Sequence, residues 1–386
     1  MLQPDFGYTK LRWLLTIGSL FLYVVDIGTD VSLAVRYFKD KHFVWAGLTL
    51  MFVLAGLVAT QIFSYAWYSD DMNNVLVNPE GNPTISGMSK DGLAGLHLFG
   101  MGIFTRYYHL LKKGFCEVWP TTSSYTVENR RDVHQSLFGL ATDLSMLKLF
   151  ETFLESVPQL LLQLYIMLGH NESSVMQYVS MTFSFFNTAW TLVDYRRCLR
   201  RSLSHVREMP SGLPTAVYLL YKLCTITTHI LSYCLLLMLS TYSAVTLGFL
   251  WLLGTTWAHL LQTNFCSCRS LEWLYRAIIG VILTFTFFNV KGHDTKVAMS
   301  LYYFFYSLIN IAAPILLALL KAETQTATYL LPVTGVILGG TVLGLVCLVV
   351  YYVLLHPRGN WREADEVDGL QNEPETTLRM RSFLQP

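Results

Sequence analysis

Leu149 to Leu168 reads LFETFLESVPQLLLQLYIML, a run of 20 residues that is apolar apart from one repeated interruption. About 20 apolar residues are what an α-helix needs to cross a bilayer. Glu151, Glu155, Gln159 and Gln163 break the run at successive four-residue steps, which puts all four on one helix face. Asp143 and Lys148 begin the polar character just upstream. A carboxylate at mid-bilayer costs about 2.5–3.5 kcal/mol on insertion scales. Two ionised, unpaired Glu would cost roughly 5–7 kcal/mol, comparable to the net stability of a whole domain. These groups must be protonated, paired or wetted. A wetted stripe through a membrane implies that something polar crosses there.

The rest of the chain is of the same kind. Of 386 residues, 53% are hydrophobic and only 14% charged. That excludes an ordinary soluble domain and predicts an all-α polytopic membrane protein. The 22 Tyr, 23 Phe and 9 Trp supply aromatics for many membrane–water interfaces. A net charge of +1 gives no reason to expect nucleic acid as a partner. The first apolar run, Leu11 to Val35, is too long for the core of a cleaved signal peptide and reads as a retained span. The seven Cys are scattered and make no disulfide framework. Cys266-Ser267-Cys268 lacks a His/Cys cluster beside it and reads as a pair of juxtamembrane thiols. The chain has no phosphate-binding Gly-x4-Gly-Lys-Ser/Thr, no His-Glu-x-x-His and no dinucleotide fingerprint. No catalytic residue, metal or cofactor is therefore assigned, and neither an ATP-driven pump nor a membrane protease is supported.

Spans are predicted over residues 11–38, 43–68, 149–168 and 176–195 in an N-terminal half, residues 1–210. A C-terminal half, residues 211–355, has spans over 216–239, 244–261, 298–320 and 329–355. The segments 93–111 and 271–290 are short or interrupted by charge, which suits partial insertion better than crossing. The basic stretches 112–132 and 196–210 are placed in the cytosol, and the charge-poor turns 170–174 and 241–243 outside. Parity then makes both partial insertions re-entrant from the cytosolic face and puts both termini in the cytosol. The result is eight transmembrane helices plus two re-entrant helices. Each half reads span, span, partial insertion, span, span. An even number of spans makes this a parallel repeat about an axis along the membrane normal, visible in hydropathy but not residue by residue. The helix that carries the polar stripe runs from Val133 to Leu168, about 35 residues or ~52 Å, and Pro158 is expected to kink it. His97 and His109 read as interfacial residues. Gly335, Gly339, Gly340 and Gly344 read as surfaces for close helix packing.

A second pair of carboxylates, Asp26 and Asp30, lies four residues apart in the first span. With Glu151, Glu155, Gln159 and Gln163 they make a candidate polar furrow open to lipid. A phospholipid crosses slowly because its headgroup must traverse about 30 Å of hydrocarbon. A furrow solvates the headgroup while the tails stay in the bilayer. Lys148, Lys222, His229 and Arg276 are the candidate cationic partners. The same residues also suit a lock, in which ion pairs hold the helices together.

Residues 356–386 form a polar tail, read as cytosolic and regulatory. Ten residues past the last span stands Asp365-Glu366-Val367-Asp368-Gly369. An effector caspase takes an aspartate carboxylate in its specificity pocket and cuts before a small residue. Asp368 fits that pocket, Asp365 and Val367 fit its outer subsites, and Gly369 follows the cut. The released piece, Gly369 to Pro386, carries Leu378, Met380, Phe383 and Leu384 interleaved with Arg379 and Arg381. A basic, apolar end of this kind suits docking into a cytosolic cavity as an inhibitory plug.

DLSMLKLFETFLESVPQLLLQLYIML, YVVDIGTDVSLAVRYF, TLVDYRRCLR, FFNVKG, and VVYYVLLHP followed by the DEVDG tail together resemble the XK-related family of membrane proteins, in particular its caspase-activated phospholipid scramblases. The resemblance runs over nearly the whole chain. It implies eight transmembrane and two re-entrant helices at the plasma membrane. It also implies scrambling without calcium or ATP, exposing phosphatidylserine on dying cells after caspase cleavage. It places Asp26, Asp30, Glu151 and Glu155 along the lipid path. Some relatives pair with a single-span immunoglobulin-type partner. The rival readings are a small-solute transporter or channel using the same stripe, and an escort subunit that transports nothing.

Overall fold

A computed structural model describes residues 8–77, 90–119, 127–170, 175–202, 209, 212–263, 265–266, 268–290, 296–321 and 329–355. Among them every regular element is a helix. In chain order these are α1 (Lys10–Lys39), α2 (Phe43–Val77), α3 (Lys90–Leu98), α4 (Gly102–Val118) and α5 (Val127–Glu151). A π-helical turn, Thr152–Ser156, leads into α6 (Val157–His170) and then α7 (Val175–Ser202). There follow α8 (Leu213–Leu239), α9 (Ser243–Leu260), α10 (Arg269–Phe285), α11 (Lys296–Leu320) and α12 (Leu330–Val350), which ends in a second π turn, Tyr351–Leu355. Five helical stretches are long and apolar enough to cross a membrane: α1, Phe43–Met72 of α2, α8, α11 and Leu330–Leu355. The protein is thus a multi-pass helical membrane protein.

Local chemistry sets the helix ends. Thr9 caps α1 by accepting from the Arg12 N–H at 3.4 Å. Pro214 stands in the first turn of α8, where a missing N–H costs nothing. The predicted insertion at 93–111 is two helices, because Gly100 takes a φ of +75° and turns the chain between α3 and α4. The basic stretch expected as a loop after residue 195 stays helical to Ser202.

The helices pack as two compact units, Met1–Glu155 with Asp194–Ser204 and Ser156–Val193 with His205–Pro386. In the first unit α1 packs on α2 and α4, while α5 packs on α2 and α4. Its core holds Tyr23, Ile103, Tyr107, Leu137, Phe138 and Leu144. In the second unit α8 is the central helix, packed by α6, α11 and α12, and α9 pairs with α10. Gly340 and Gly344 bring α12 onto α8, where an added Cβ would meet the Thr228 methyl at 2.6 Å and the Thr225 methyl at 2.9 Å. Gly335 and Gly339 have the same spacing, but an added Cβ there would meet nothing within 4 Å among the described residues.

Each unit contains the same arginine clamp. In the first, Arg106 of α4 is 2% exposed. Its Nε donates to Ser64 Oγ at 3.0 Å and its Nη2 to the Ser64 carbonyl at 3.2 Å. Nη1 pairs with Asp143 at 2.9 Å, and the guanidinium lies 4.1 Å from the Tyr68 ring centre. In the second, Arg276 of α10 gives Nε to Thr263 Oγ1 at 3.0 Å and Nη2 to the Thr263 carbonyl. Glu272 is its carboxylate, at 3.4 Å, and Trp273 its ring. The two sites share the arginine's donor pattern but differ in the carboxylate, which comes from α5 in the first and from the arginine's own helix in the second. His97 belongs to the first clamp: it is buried and meets Ser64 Oγ at 2.9 Å. Arg106→Ala leaves Asp143 without this guanidinium and should destabilise the protein by about 3 kcal/mol, the low end for a broken buried pair because Asp143 keeps 18% exposure. The loss reads as a lowered thermal midpoint of the purified protein.

Candidate functional site

The candidate site is the carboxyl cluster of α1, α5 and the first π turn. On α1 only Tyr23, Asp30 and Ala34 are buried, so most of this helix presents apolar side chains outward. Asp26 is half-buried beside them. Glu151 closes α5 at 6% exposure, and Glu155 sits inside the π turn at 2%. The π turn stands where a proline kink was expected. Pro158 has no N–H and its ring crowds the carbonyl of residue 154, so the regular ladder cannot continue through this turn. The widened turn carries Glu155 with it.

The structure brings four carboxyls together. Glu155 makes a side-chain hydrogen bond with Asp30, and the charge of Asp26 acts on both Glu151 and Glu155. A carboxyl–carboxyl hydrogen bond requires one proton between the two groups. The second oxygen of Glu155, Oε1, is buried and accepts no hydrogen bond among the described residues. Lys148, three residues before Glu151, is the cation whose charge acts on it. Its Nζ donates to Ser19 Oγ at 2.6 Å, and Ser19 meets the Tyr107 hydroxyl at 3.0 Å. An ammonium fixed between α1 and α4 thus stands at the end of the acidic row. Furrow and lock meet in the same residues.

The other predicted partners have neighbours of their own in the second unit. Lys222, 3% exposed, donates to Thr286 Oγ1 at 3.0 Å and to the Phe287 carbonyl at 2.9 Å. His229 meets Asn310 Oδ1 at 3.2 Å, and Arg276 serves its clamp. Gln159 and Gln163 lie on α6, past the π turn and in the second unit; Gln159 is buried and Gln163 half-buried. The caspase residues Asp365 to Gly369 and the plug residues Leu378 to Leu384 lie outside the described residues. Among those described, no group of three or more His, Cys, Asp or Glu is arranged to hold a metal ion.

Three contributors escaped the sequence reading. Ser19 and Tyr23 precede Asp26 and Asp30 at four- and three-residue steps, a helical face that extends the acidic pair by two turns. Gly56 of α2 has no such signal. A Cβ there would meet Glu155 Oε2 at 2.6 Å and Glu155 Cβ at 3.0 Å. The bare backbone of Gly56 is what lets this carboxyl seat beside Asp30. Gly56→Ala should displace it and lower any activity that uses it by tenfold or more, whereas in a Glu155→Ala background the same change should cost little. A double-mutant cycle in reconstituted vesicles reads that coupling.

The family model described as XK-related protein matches residues 14–357. XK-related protein 9 of Tetraodon nigroviridis is 58% identical over 379 residues, covering 98% of this chain and 99% of the relative. XK-related protein 8 of the same fish is 29% identical over 384 residues, covering 99% and 92%. XK-related protein 8 of Pan troglodytes is 33% identical over 360 residues, covering 91% and 85%.

Proposed function

The chain belongs to the XK-related family, and from that premise we propose that it is a plasma-membrane phospholipid scramblase switched on by effector-caspase cleavage after Asp368. The observation that carries the reading is the row of Asp26, Asp30, Glu155 and Glu151, backed by Gly56 and set on a first helix whose outer face is apolar. Lipid tails wet the outer face of α1. A headgroup moving along the row meets carboxyl oxygens in place of water, and the ammonium of Lys148 answers its phosphate. Zwitterionic headgroups carry both charges, so both ends of the row are used. The Oε1 acceptor of Glu155 offers an ammonium headgroup a place to donate. Motion is bidirectional and downhill, without nucleotide, metal or covalent step.

In this reading the chain has eight transmembrane helices and two re-entrant helices, with both termini in the cytosol. The re-entrant segments are 93–111, made by α3 and α4, and 271–290 with α10, each held by its arginine clamp. Residues 369–386 hold the furrow closed, and their release shifts the population to an open state. Phosphatidylserine then reaches the outer leaflet. An immunoglobulin-type single-span protein is a candidate partner, found by co-purification. The test is reconstitution of the chain ending at Asp368 into vesicles with fluorescent lipid. Loss of inner-leaflet signal to an external quencher supports scrambling. Ion or solute flux with no lipid movement would favour a channel instead.

A further inference from the structure

The turn between α3 and α4 carries large apolar side chains on its outside. Leu98 is 86% and Phe99 82% exposed, and Met101 follows them outward. Its backbone is closed inward. The N–H groups of Phe99, Gly100 and Met101 donate to the carbonyls of Gly95, His97 and Leu96 at 3.1, 3.1 and 2.9 Å. The next N–H, of Gly102, donates to Gln61 Oε1 of α2 at 2.8 Å, and Gln61 Nε2 donates to the Gly100 carbonyl at 3.2 Å. One buried amide thus serves both sides of the turn. A Cβ at Gly102 would collide with Gln61 Oε1, so a glycine is what lets that amide reach the N–H. A turn on a water-facing surface leaves such groups to solvent. Non-helical backbone is tolerated at membrane depth only where protein satisfies its polar groups.

Helix α2 gives the depth of the turn. The stretch of α2 able to cross a membrane is Phe43–Met72, and Leu57 stands at its middle. A Cβ on Gly100 would lie 3.7 Å from Leu57 Cδ1, and Gln61 is one helical turn further along. Gly56, next to Leu57, is where Glu155 seats. The turn and that carboxyl therefore meet α2 at neighbouring levels, within the first unit. We propose that Leu98–Met101 is a tip inserted to the middle of the bilayer, that its outer partner is the ends of the lipid acyl chains, and that Gln61 is the positioning residue that latches it there. This rests on the re-entrant placement of 93–111 and is independent of whether lipid crosses along the acidic row.

The test is photolabelling of the full chain in vesicles with two phosphatidylcholines, one carrying a diazirine at the end of an acyl chain and the other in the headgroup. Labelled residues are read by mass spectrometry. Leu98, Phe99 and Met101 should take roughly fivefold or more label from the tail-end probe than from the headgroup probe. Trp119, an exposed aromatic just past the end of α4, should show the reverse. Gln61→Leu takes the amide from the Gly102 N–H and the Gly100 carbonyl, and should bring the ratio at the turn down to that at Trp119. Gln61→Glu, which keeps the acceptor and loses the donor, should lower it less and answers for the first variant if that one does not fold. A turn labelled mainly by the headgroup probe overturns the proposal. So does a turn labelled by neither probe, since protein, from the tail or a second copy, would then cover it. A ratio unchanged in both variants overturns the latch. Labelling of Lys90 or Lys112, but not both, by an impermeant amine reagent on intact cells would show 93–111 crossing the membrane, which overturns the re-entrant placement and the tip with it.

Discussion

Glu151→Gln combined with Glu155→Gln, in a chain ending at Asp368, brings lipid scrambling down to the rate of protein-free vesicles while surface expression stays normal. Gln keeps the size and hydrogen-bonding character of Glu but not its charge. In the proposed furrow that charge balances the ammonium of a crossing headgroup. Removing one partner of a desolvated charge pair costs roughly 2–5 kcal/mol. At 1.4 kcal/mol per tenfold, that loss from the crossing state is worth about one to four powers of ten. The lock reading predicts otherwise. Removing the charge of Glu151 leaves the Lys148 ammonium, fixed to Ser19, without that compensation, and the variant should fail to reach the surface. Normal expression with unchanged lipid flux would take both Glu out of the path.

Asp368→Ala leaves the chain silent when effector caspase is activated, and truncation after Asp368 makes it active without any protease. A pocket built for the aspartate carboxylate rejects its truncated analogue by roughly 10⁴, because the pocket's own polar groups are left unpaired. The variant should therefore survive intact through cell death, read by immunoblot, with phosphatidylserine kept inside, read by annexin binding. In the proposed control the piece Gly369 to Pro386 supplies the closing energy. A hundredfold rise in scrambling on its release would correspond to about 2.7 kcal/mol, within reach of burying apolar side chains such as Leu378, Met380, Phe383 and Leu384. Full scrambling by intact protein would remove the plug from the account.

The sequence showed the parts of this molecule whose signal is local. The apolar runs of α1, α2, α8, α11 and α12 stand in the structure as helices able to cross a membrane. The two i, i+4 carboxylate pairs were legible as one polar face each, but their expected partners were cations; the hydrogen bond between Asp30 and Glu155 comes from the structure. Features that depend on distant residues were hidden. Ser64 precedes Arg106 by 42 residues and Thr263 precedes Arg276 by 13, so no spacing rule links the two clamps. Gly335/Gly339 and Gly340/Gly344 have identical spacing, yet among the described residues only the second pair meets a helix. Pro158 announced a break but not its form, since a kink and a π turn both relieve a missing N–H. Gly56 was invisible because its role is to be absent from the space Glu155 fills.

The most direct test of the central claim is lipid scrambling by the purified full-length protein in vesicles, before and after effector caspase is added. The account predicts little transfer before cleavage and rapid, calcium- and ATP-independent transfer after it. The same gain should be absent from Asp368→Ala and from the Glu151→Gln, Glu155→Gln variant. Cleavage at Asp368 that leaves lipid transfer at the level of protein-free vesicles would contradict it.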